Sequence, residues 1–366
     1  RVITRRAAHL ARTACAPHEV LAITFTNKAA NEMRERIDRL GIGRGMGVCT
    51  FHSFCARVLR EFASHVGLTS SFTIFDEADR RSVIREALSR CDLSGNNWPP
   101  RMVEEAISRA KNRLLSVEAY ASQATDFSEK TIARVYGESE RLLRAQNACD
   151  FDDLLLHVAK LLQESDEVRE RLCARFRYLL IDEYQDTNEA QYVIASRLAA
   201  GHRNICATGD PDQSIYAWRG ANIQNILDFE KDYPDAEVVR LEQNFRSTGL
   251  ILSAASKVIG HNRGRKHKNL WTDGGPGEPV RLWSCENESM EAHSIVADMK
   301  EAIEGGASPA EMAIFYRTNA QTRVIEEALM RAGVAYQVAR GVEFYGRKEI
   351  RDALAYLRMI VNPADE

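Results

Sequence analysis

Three short apolar runs, each ending in polar residues, limit what this chain can fold into more than any other feature. Val20–Phe25 (VLAITF) is bounded by turn-forming residues, Phe176–Ile181 (FRYLLI) runs straight into two acids, and Asn204–Thr208 (NICAT) stops at Gly209-Asp210. Runs of this length and character read as strands buried on both faces, which is the pattern of a parallel sheet. In open parallel sheets ligands bind beyond the carboxyl ends of the strands, where these polar residues fall.

The stretches between the runs carry helical signals. Thr26 and Asn27 can cap a helix over Lys28–Leu40. Gly41–Gly47 is a glycine-rich loop, Val48–Thr50 a further short strand, and His52–Val66 a helix. From about Asp76 to Gln146 apolar residues recur at helical spacing, broken at Trp98-Pro99-Pro100, as in an inserted helical subdomain. After Glu242 a second α/β unit is expected, with strands at Val280–Trp283 and Met312–Tyr316. Helices are expected there at Ala320–Ala332 and Arg347–Ile360. Lys266–Pro279, rich in glycine and proline, reads as a loop.

Bulk properties set wider bounds. A chain of 366 residues holds about two or three domains. The 45% hydrophobic and 28% charged content is ordinary for a soluble globular protein. No apolar run approaches the roughly 18 residues of a membrane span, and the N-terminus does not resemble a signal peptide. Eight cysteines without a CxxC pair read as reduced cytosolic thiols rather than a zinc site, consistent with a cytoplasmic setting. The net charge of -3 hides an asymmetry, since residues 1–60 carry eleven Lys/Arg against four Asp/Glu. Such a segment is either a solvated surface or a track for a phosphate backbone. The first residue is Arg1 rather than Met, so the expectation is a fragment of a longer chain.

Two segments carry chemistry. Leu179–Ile181 followed by Asp182-Glu183 is the arrangement in which P-loop ATPases hold magnesium with the first acid. The second acid can serve as a general base toward water. A strand entering a solvated acidic turn would look the same. The segment Gly209-Asp210-Pro211-Asp212-Gln213-Ser214-Ile215-Tyr216-Ala217-Trp218-Arg219-Gly220 is more specific. It begins with a tight turn, supplies an amide at Gln213 that can sense a phosphate or position water, and ends in two aromatics beside a basic residue. Tyr216 and Trp218 are either core or stacking platforms for unpaired bases.

Taken together, TFTNKAANEM (24–33), TFHSFCARVLR (50–60), DEYQDTNEAQ (182–191), GDPDQSIYAWRGA (209–221) and LEQNFRST (241–248) resemble the ordered motifs of superfamily 1 DNA helicases of the UvrD/Rep/PcrA type. The resemblance covers essentially the whole chain and is weakest in the helical insertion. It implies two RecA-like parallel-sheet P-loop NTPase domains. The first would comprise residues 1–75 and 148–241, the helical insertion 76–147, and the second domain 242–366. The activity implied is ATP-dependent, 3′-5′ translocation on single-stranded DNA and at single-strand/duplex junctions, in repair or replication. ATP and Mg²⁺ would be the cofactors, and repair or replication proteins possible partners.

By the same resemblance, Asp182 would hold Mg²⁺ and Glu183 would activate the hydrolytic water. Gln213 would sense the γ-phosphate and couple it to DNA. Arg246 would be an arginine finger across the interdomain cleft, although a surface salt bridge is the alternative for an arginine there. Phe245, where many relatives have Tyr, would stack on adenine. Phe25, Asn27, His52, Tyr216 and Trp218 would contact DNA, with Phe25, Tyr216 and Trp218 forming base pockets. Phe25 alone would also fit core packing, and His52 a helix cap or core histidine. Thr24 and Thr26 could hold phosphates. Arg347 and Lys348 could touch DNA or simply start a solvent-facing helix, and Arg263, Arg265, Lys266 and Lys268 read as a solvated basic loop. No GxxxxGK[ST] loop occurs in the sequence. The resemblance implies that the chain starts just after that loop and stops before the family's motifs V and VI, so that it would be nearly inactive alone. Two other readings stay open, the motor part of a helicase–nuclease and a DNA-binding regulator that never hydrolyses ATP.

Overall fold

The computed structural model describes all residues except 43–44, 94–96, 263–264, 339–347, 363 and 365–366. Arg263 and Arg347 therefore lie outside the described residues, as does the side chain of Lys348. The strands are β1 (Val20–Thr24), β2 (Gly47–Thr50), β3 (Thr73–Ile74), β4 (Ala148–Cys149), β5 (Tyr178–Ile181) and β6 (Ile205–Ala207). Four of them form one parallel sheet in the order β2-β1-β5-β6, and β3 and β4 form a separate parallel pair. The predicted α/β class with a parallel sheet is what the chain adopts.

Every residue of β1 is buried. Leu21 and Ile23 enter a core shared with helices Phe51–Glu61, Phe151–Glu164 and Glu189–Ala199. Val20 and Ala22 point the other way, against Ile3 and Ala7 of helix Val2–Thr13 and Met33 and Ile37 of helix Asn27–Arg39. Alternate side chains of a strand point to opposite faces, so only a strand covered by helices on both sides reads as an unbroken apolar run.

Helices Glu77–Arg90, Pro100–Asn112, Val117–Gln123 and Phe127–Ala145 pack around their own core of Val83, Leu88, Val103, Ile107, Tyr136 and Leu142. The chain departs into them after β3 and returns at β4, which pair directly through Thr73↔Ala148 and Ile74↔Cys149. Beneath that pair lies a buried polar joint. The Lys111 ammonium, 1% exposed, reaches Glu140 (2.7 Å), Asp150 (3.0 Å) and Asp153 (2.7 Å). Arg80 reaches Glu104 (2.7 Å) and Asp152 (2.9 Å). Burial alone would lower the Lys111 pKa, but the surrounding acids outweigh it and hold the ammonium protonated.

The chain divides into two compact units. The first contains residues 1–240, 262–267 and 354–366, and the second 241–261 and 268–353. Within the first, Arg358 pairs with Asp79 at 2.8 Å, and buried Asn362 donates to Thr73 Oγ1 and to the carbonyl oxygens of Gln146 and Asn147. Residues 262–267 and 354–366, expected with the second domain, thus group with the first unit.

The second unit has helices Gly249–Ile259, Glu288–Glu304 and Thr322–Ala332, with a small core of Ala292, Val296, Ala328 and Leu329. The predicted strands Val280–Trp283 and Met312–Tyr316 are not strands here. Among the unit's described residues no ladder forms, only an isolated bridge between Gln243 and Trp271. Leu282 and Phe315 are 96% and 92% exposed. An apolar run becomes a strand only when a neighbouring backbone offers its N–H and C=O groups, and among the described residues these runs have no such neighbour.

Candidate functional site

The carboxyl ends of all four sheet strands carry the motif residues. In chain order β1 leads outward to β2 on one side, and β5 leads to β6 on the other, so the crevice between β1 and β5 is where the strand order reverses. Parallel α/β sheets bind ligands at such a point. Asp182 sits there, its N–H bonded to Ile23 O at 2.9 Å as an extension of the β1–β5 ladder. The next residue, Glu183, is exposed and has a left-handed backbone (φ +54°), a conformation that costs a non-glycine residue energy and that clusters at functional sites. The turn swings the chain into the 3₁₀ turn Tyr184–Asp186.

Electrostatics in this corner favour a cation. Burial raises the Asp182 pKa, and the neighbouring Glu183 raises it further. Burial and then Glu183 push Asp186 up to about 6, and one carboxylate oxygen of Asp186 is buried without a hydrogen-bond partner. A hard divalent ion would relieve both the burial and the like-charge penalty on Asp182. Among the described residues no three His, Cys, Asp or Glu side chains converge as a metal cage. Magnesium fits such a site, because it is usually bound by one or two carboxylates together with phosphate oxygens.

The segment after β6 folds back over the acidic turn. Thr208 N–H bonds to Ile181 O (2.8 Å) and Tyr184 N–H to Thr208 O (3.0 Å). Gln213, exposed, donates from Nε2 to Asp210 Oδ2 at 2.7 Å. Asp212 accepts two hydrogen bonds from Arg265, at 2.7 and 3.2 Å. Lys266 pairs with Glu230. The basic loop is therefore not simply solvated, since Arg265 and Lys266 are held in ion pairs.

At the far end of the same segment Tyr216 stacks on Phe25, with ring centroids 5.1 Å apart and planes 24° from parallel. Both rings are partly exposed. Trp218 is 68% exposed, so it is not core. Asn27 is exposed on the first turn of helix Asn27–Arg39. His52, in the first turn of helix Phe51–Glu61, packs edge-on to Phe151 at 5.6 Å. It does not cap that helix, because Thr50 accepts the capping bond from Ser53 N–H. Burial lowers the His52 pKa, leaving a neutral imidazole at neutral pH. The Thr24 hydroxyl is closed off by burial, and the Thr26 hydroxyl accepts from Ala29 N–H at 3.1 Å. Of the two, only Thr26 remains open to a phosphate.

The sequence-predicted residues Asp182, Glu183, Gln213, Phe25, Asn27, His52, Tyr216 and Trp218 thus gather along one edge of the sheet of the first unit. Phe245 and Arg246 belong to the second unit. There Asn244 Oδ1 accepts from Arg246 N–H (2.9 Å) and Ser247 N–H (2.8 Å), a local turn that leaves both side chains exposed. The sequence offered no signal for Gln185 or Asn225, and it placed Arg265 in a solvated loop rather than against Asp212. Gln185 and Arg265 bridge segments remote in sequence, and Asn225 binds Thr187 from 38 residues away. No local pattern marks such partners.

Comparison with known proteins agrees with this arrangement. Residues 1–234 match the family model described as the UvrD/REP helicase N-terminal domain, and residues 239–366 match the UvrD-like helicase C-terminal domain. The chain is 45% identical, over 370 aligned residues, to an ATP-dependent DNA helicase PcrA of Staphylococcus aureus (strain NCTC 8325 / PS 47). That alignment covers 100% of this chain and 50% of the relative. It is also 45% identical to the protein of the same name from Staphylococcus epidermidis (strain ATCC 12228 / FDA PCI 1200), covering 51% of it. The chain spans about half the length of the curated relatives it matches. The two consecutive family matches together cover residues 1–234 and 239–366, and the chain belongs to the UvrD/REP helicase family.

Proposed function

We propose that this chain forms the nucleotide-hydrolysing and DNA-tracking part of an ATP-dependent 3′-5′ DNA helicase acting in repair or replication, on single-stranded DNA and single-strand/duplex junctions, in the cytoplasm. The domains are those of the resemblance: a RecA-like domain of residues 1–75 and 148–241, an insertion of 76–147, and a second RecA-like domain from 242. One observation carries the reading. In the segment Gly209–Gly220 the Gln213 amide donates to Asp210, whose N–H bonds to Gln185 of the acidic turn, and at the segment's other end Tyr216 stacks on Phe25. A single stretch of backbone therefore joins hydrolytic chemistry to a base-stacking platform.

Bound ATP with Mg²⁺ supplies the scissile γ-phosphoryl group and neutralises the charge that develops on it. Asp182 holds the metal. Glu183 takes the proton of the attacking water. Gln213 orients that water and senses the γ-phosphate, and Arg246 stabilises transition-state charge. Phe245 offers its ring to the adenine. Phe25, Tyr216 and Trp218 stack on successive bases without regard to sequence, while Asn27 and His52 contact the strand with neutral donors. Exposure of Phe245, Trp218 and Gln213 in this chain supports these roles.

The test is ATP hydrolysis with and without single-stranded DNA, in the full-length protein and in a polypeptide of these 366 residues. The full-length protein is expected to be DNA-stimulated, and Glu183→Gln to abolish turnover. The shorter polypeptide, lacking a GxxxxGK[ST] loop, is expected to stay at background. A full-length protein indifferent to DNA sinks the helicase reading. Glu183-dependent turnover by the shorter polypeptide sinks the expectation of inactivity.

A further inference from the structure

Gln185 sits at the centre of the acidic turn, 1% exposed, with its side-chain amide used at both ends. Nε2 donates to Glu183 Oε2 at 2.8 Å and to Asp186 Oδ2 at 3.2 Å. Oε1 accepts from the Asp210 backbone N–H at 3.0 Å, and the Gln185 carbonyl oxygen accepts from the Ser214 hydroxyl at 3.4 Å. The orientation of the amide follows from chemistry: carboxylates need a donor and a backbone N–H needs an acceptor, and only one orientation supplies both. No other uncharged side chain of this length offers that pair of groups.

The opposite wall is equally tight. A Cβ added to Gly209 would lie 2.5 Å from Gln185 Oε1 and 3.1 Å from Tyr184 N. The two segments are pressed together at the one residue type that permits it. Asp210, whose N–H is bound by Gln185, in turn binds Gln213 through Oδ2. One buried amide thus stands between Glu183 on one side and Gln213 on the other. Glu183 itself is exposed on a left-handed turn, so its carboxylate would swing freely if nothing held it. A general base has to stay within hydrogen-bond reach of the proton it takes. Fixing Oε2 leaves Oε1 as the oxygen that can do so.

We infer that Gln185 is a positioning residue, which fixes the Glu183 carboxylate and registers it to the Gln213 segment. The inference rests on the reading of Glu183 as the general base. It predicts that Gln185 acts on turnover through Glu183 rather than on nucleotide binding. The other acids of this corner are Asp182, Asp186, Asp210 and Asp212, the last paired with Arg265, and none of them is altered in the test.

The experiment uses the full-length protein with Gln185→Glu, Gln185→Leu, Glu183→Gln and the Glu183→Gln/Gln185→Leu double variant. It measures DNA-stimulated kcat, the Kd of a non-hydrolysable ATP analogue, and Tm. Gln185→Glu is nearly isosteric and keeps the question answerable even if Gln185→Leu fails to fold. Gln185→Glu is expected to keep analogue affinity within about threefold while losing about 10²-fold in kcat, the cost of displacing a catalytic group by roughly 1 Å, with Tm checking that it stays folded at the assay temperature. The double variant should be no slower than Glu183→Gln alone, because residues acting as a unit are not additive. Parental kcat in Gln185→Glu, or additive losses in the double variant, would each overturn the inference and leave Gln185 a packing residue. Parental turnover in Glu183→Gln is the separate result that removes the general-base reading, and the inference with it.

Discussion

At the scale of single residues, the stacked pair Phe25–Tyr216 gives the most direct prediction. Base–aromatic stacking is worth about 1–3 kcal/mol per base. Tyr216→Ala should therefore weaken binding of a labelled oligo-dT strand by roughly 5- to 150-fold in an anisotropy titration at fixed salt, while Tyr216→Phe keeps the affinity. Equal affinity in Tyr216→Ala would return both rings to simple packing. Gly209 supplies a second prediction. Alanine there meets Gln185 Oε1 and Ile226 Cδ1 at 2.5 and 2.8 Å, so Gly209→Ala should cut DNA-stimulated kcat by at least about tenfold, since small displacements of a catalytic group are costly. Full turnover in that variant would show that the acidic turn tolerates separation from the β6 segment.

Element-scale behaviour turns on the joint beneath β3 and β4. Lys111 sits at its centre, and removing one member of a buried ion cluster leaves uncompensated charge. Lys111→Met is expected to cost about 3–5 kcal/mol in urea unfolding; a loss below about 1 kcal/mol would mean that water reaches Asp150 and Asp153. His157, on helix Phe151–Glu164, adds a pH dependence. Burial holds its pKa down to about 4, against an ordinary 6.5. Between those values the unfolded chain binds the extra proton, so stability falls as pH drops from about 6.5 to about 4 and the loss is complete below that. His157→Gln should flatten this part of the stability–pH curve, and an unchanged slope would clear the histidine of any part in it. The four strands of the main sheet were legible because burial on both faces leaves an unbroken apolar run with a polar end, as in Val20–Thr24 and Leu179–Asp182, whereas the two-residue strands Thr73–Ile74 and Ala148–Cys149 are too short to leave such a run. The expected strands at Val280–Trp283 and Met312–Tyr316 had the apolar run without a neighbour to pair with among the described residues, and sequence holds no direct record of neighbours. The same limit hid Gln185 and the Asp212 partner of Arg265, both fixed by the folding back of the β6 segment.

The molecule as a whole is uneven in its packing. The first unit buries three apolar clusters, whereas the second rests on Ala292, Val296, Ala328 and Leu329. Local opening follows such differences. Amide hydrogen exchange on the 366-residue chain should therefore show Val20–Thr24 and Tyr178–Ile181 exchanging last, and helices Glu288–Glu304 and Thr322–Ala332 exchanging early. Equal protection in both would mean that the second unit gains stability from contacts beyond its own core. The side-by-side departure and return of the insertion, at β3 and β4, has a consequence in polymer terms. The segment between them is a loop whose ends are already closed by a strand pair, and closure entropy grows only logarithmically, by about 0.6 kcal/mol for each doubling of length. The sheet domain is accordingly almost indifferent to how many residues are spliced in between Ile74 and Ala148, so this is the place where the fold can lengthen, shorten or exchange a whole lobe while the strand ends that carry the chemistry stay in register.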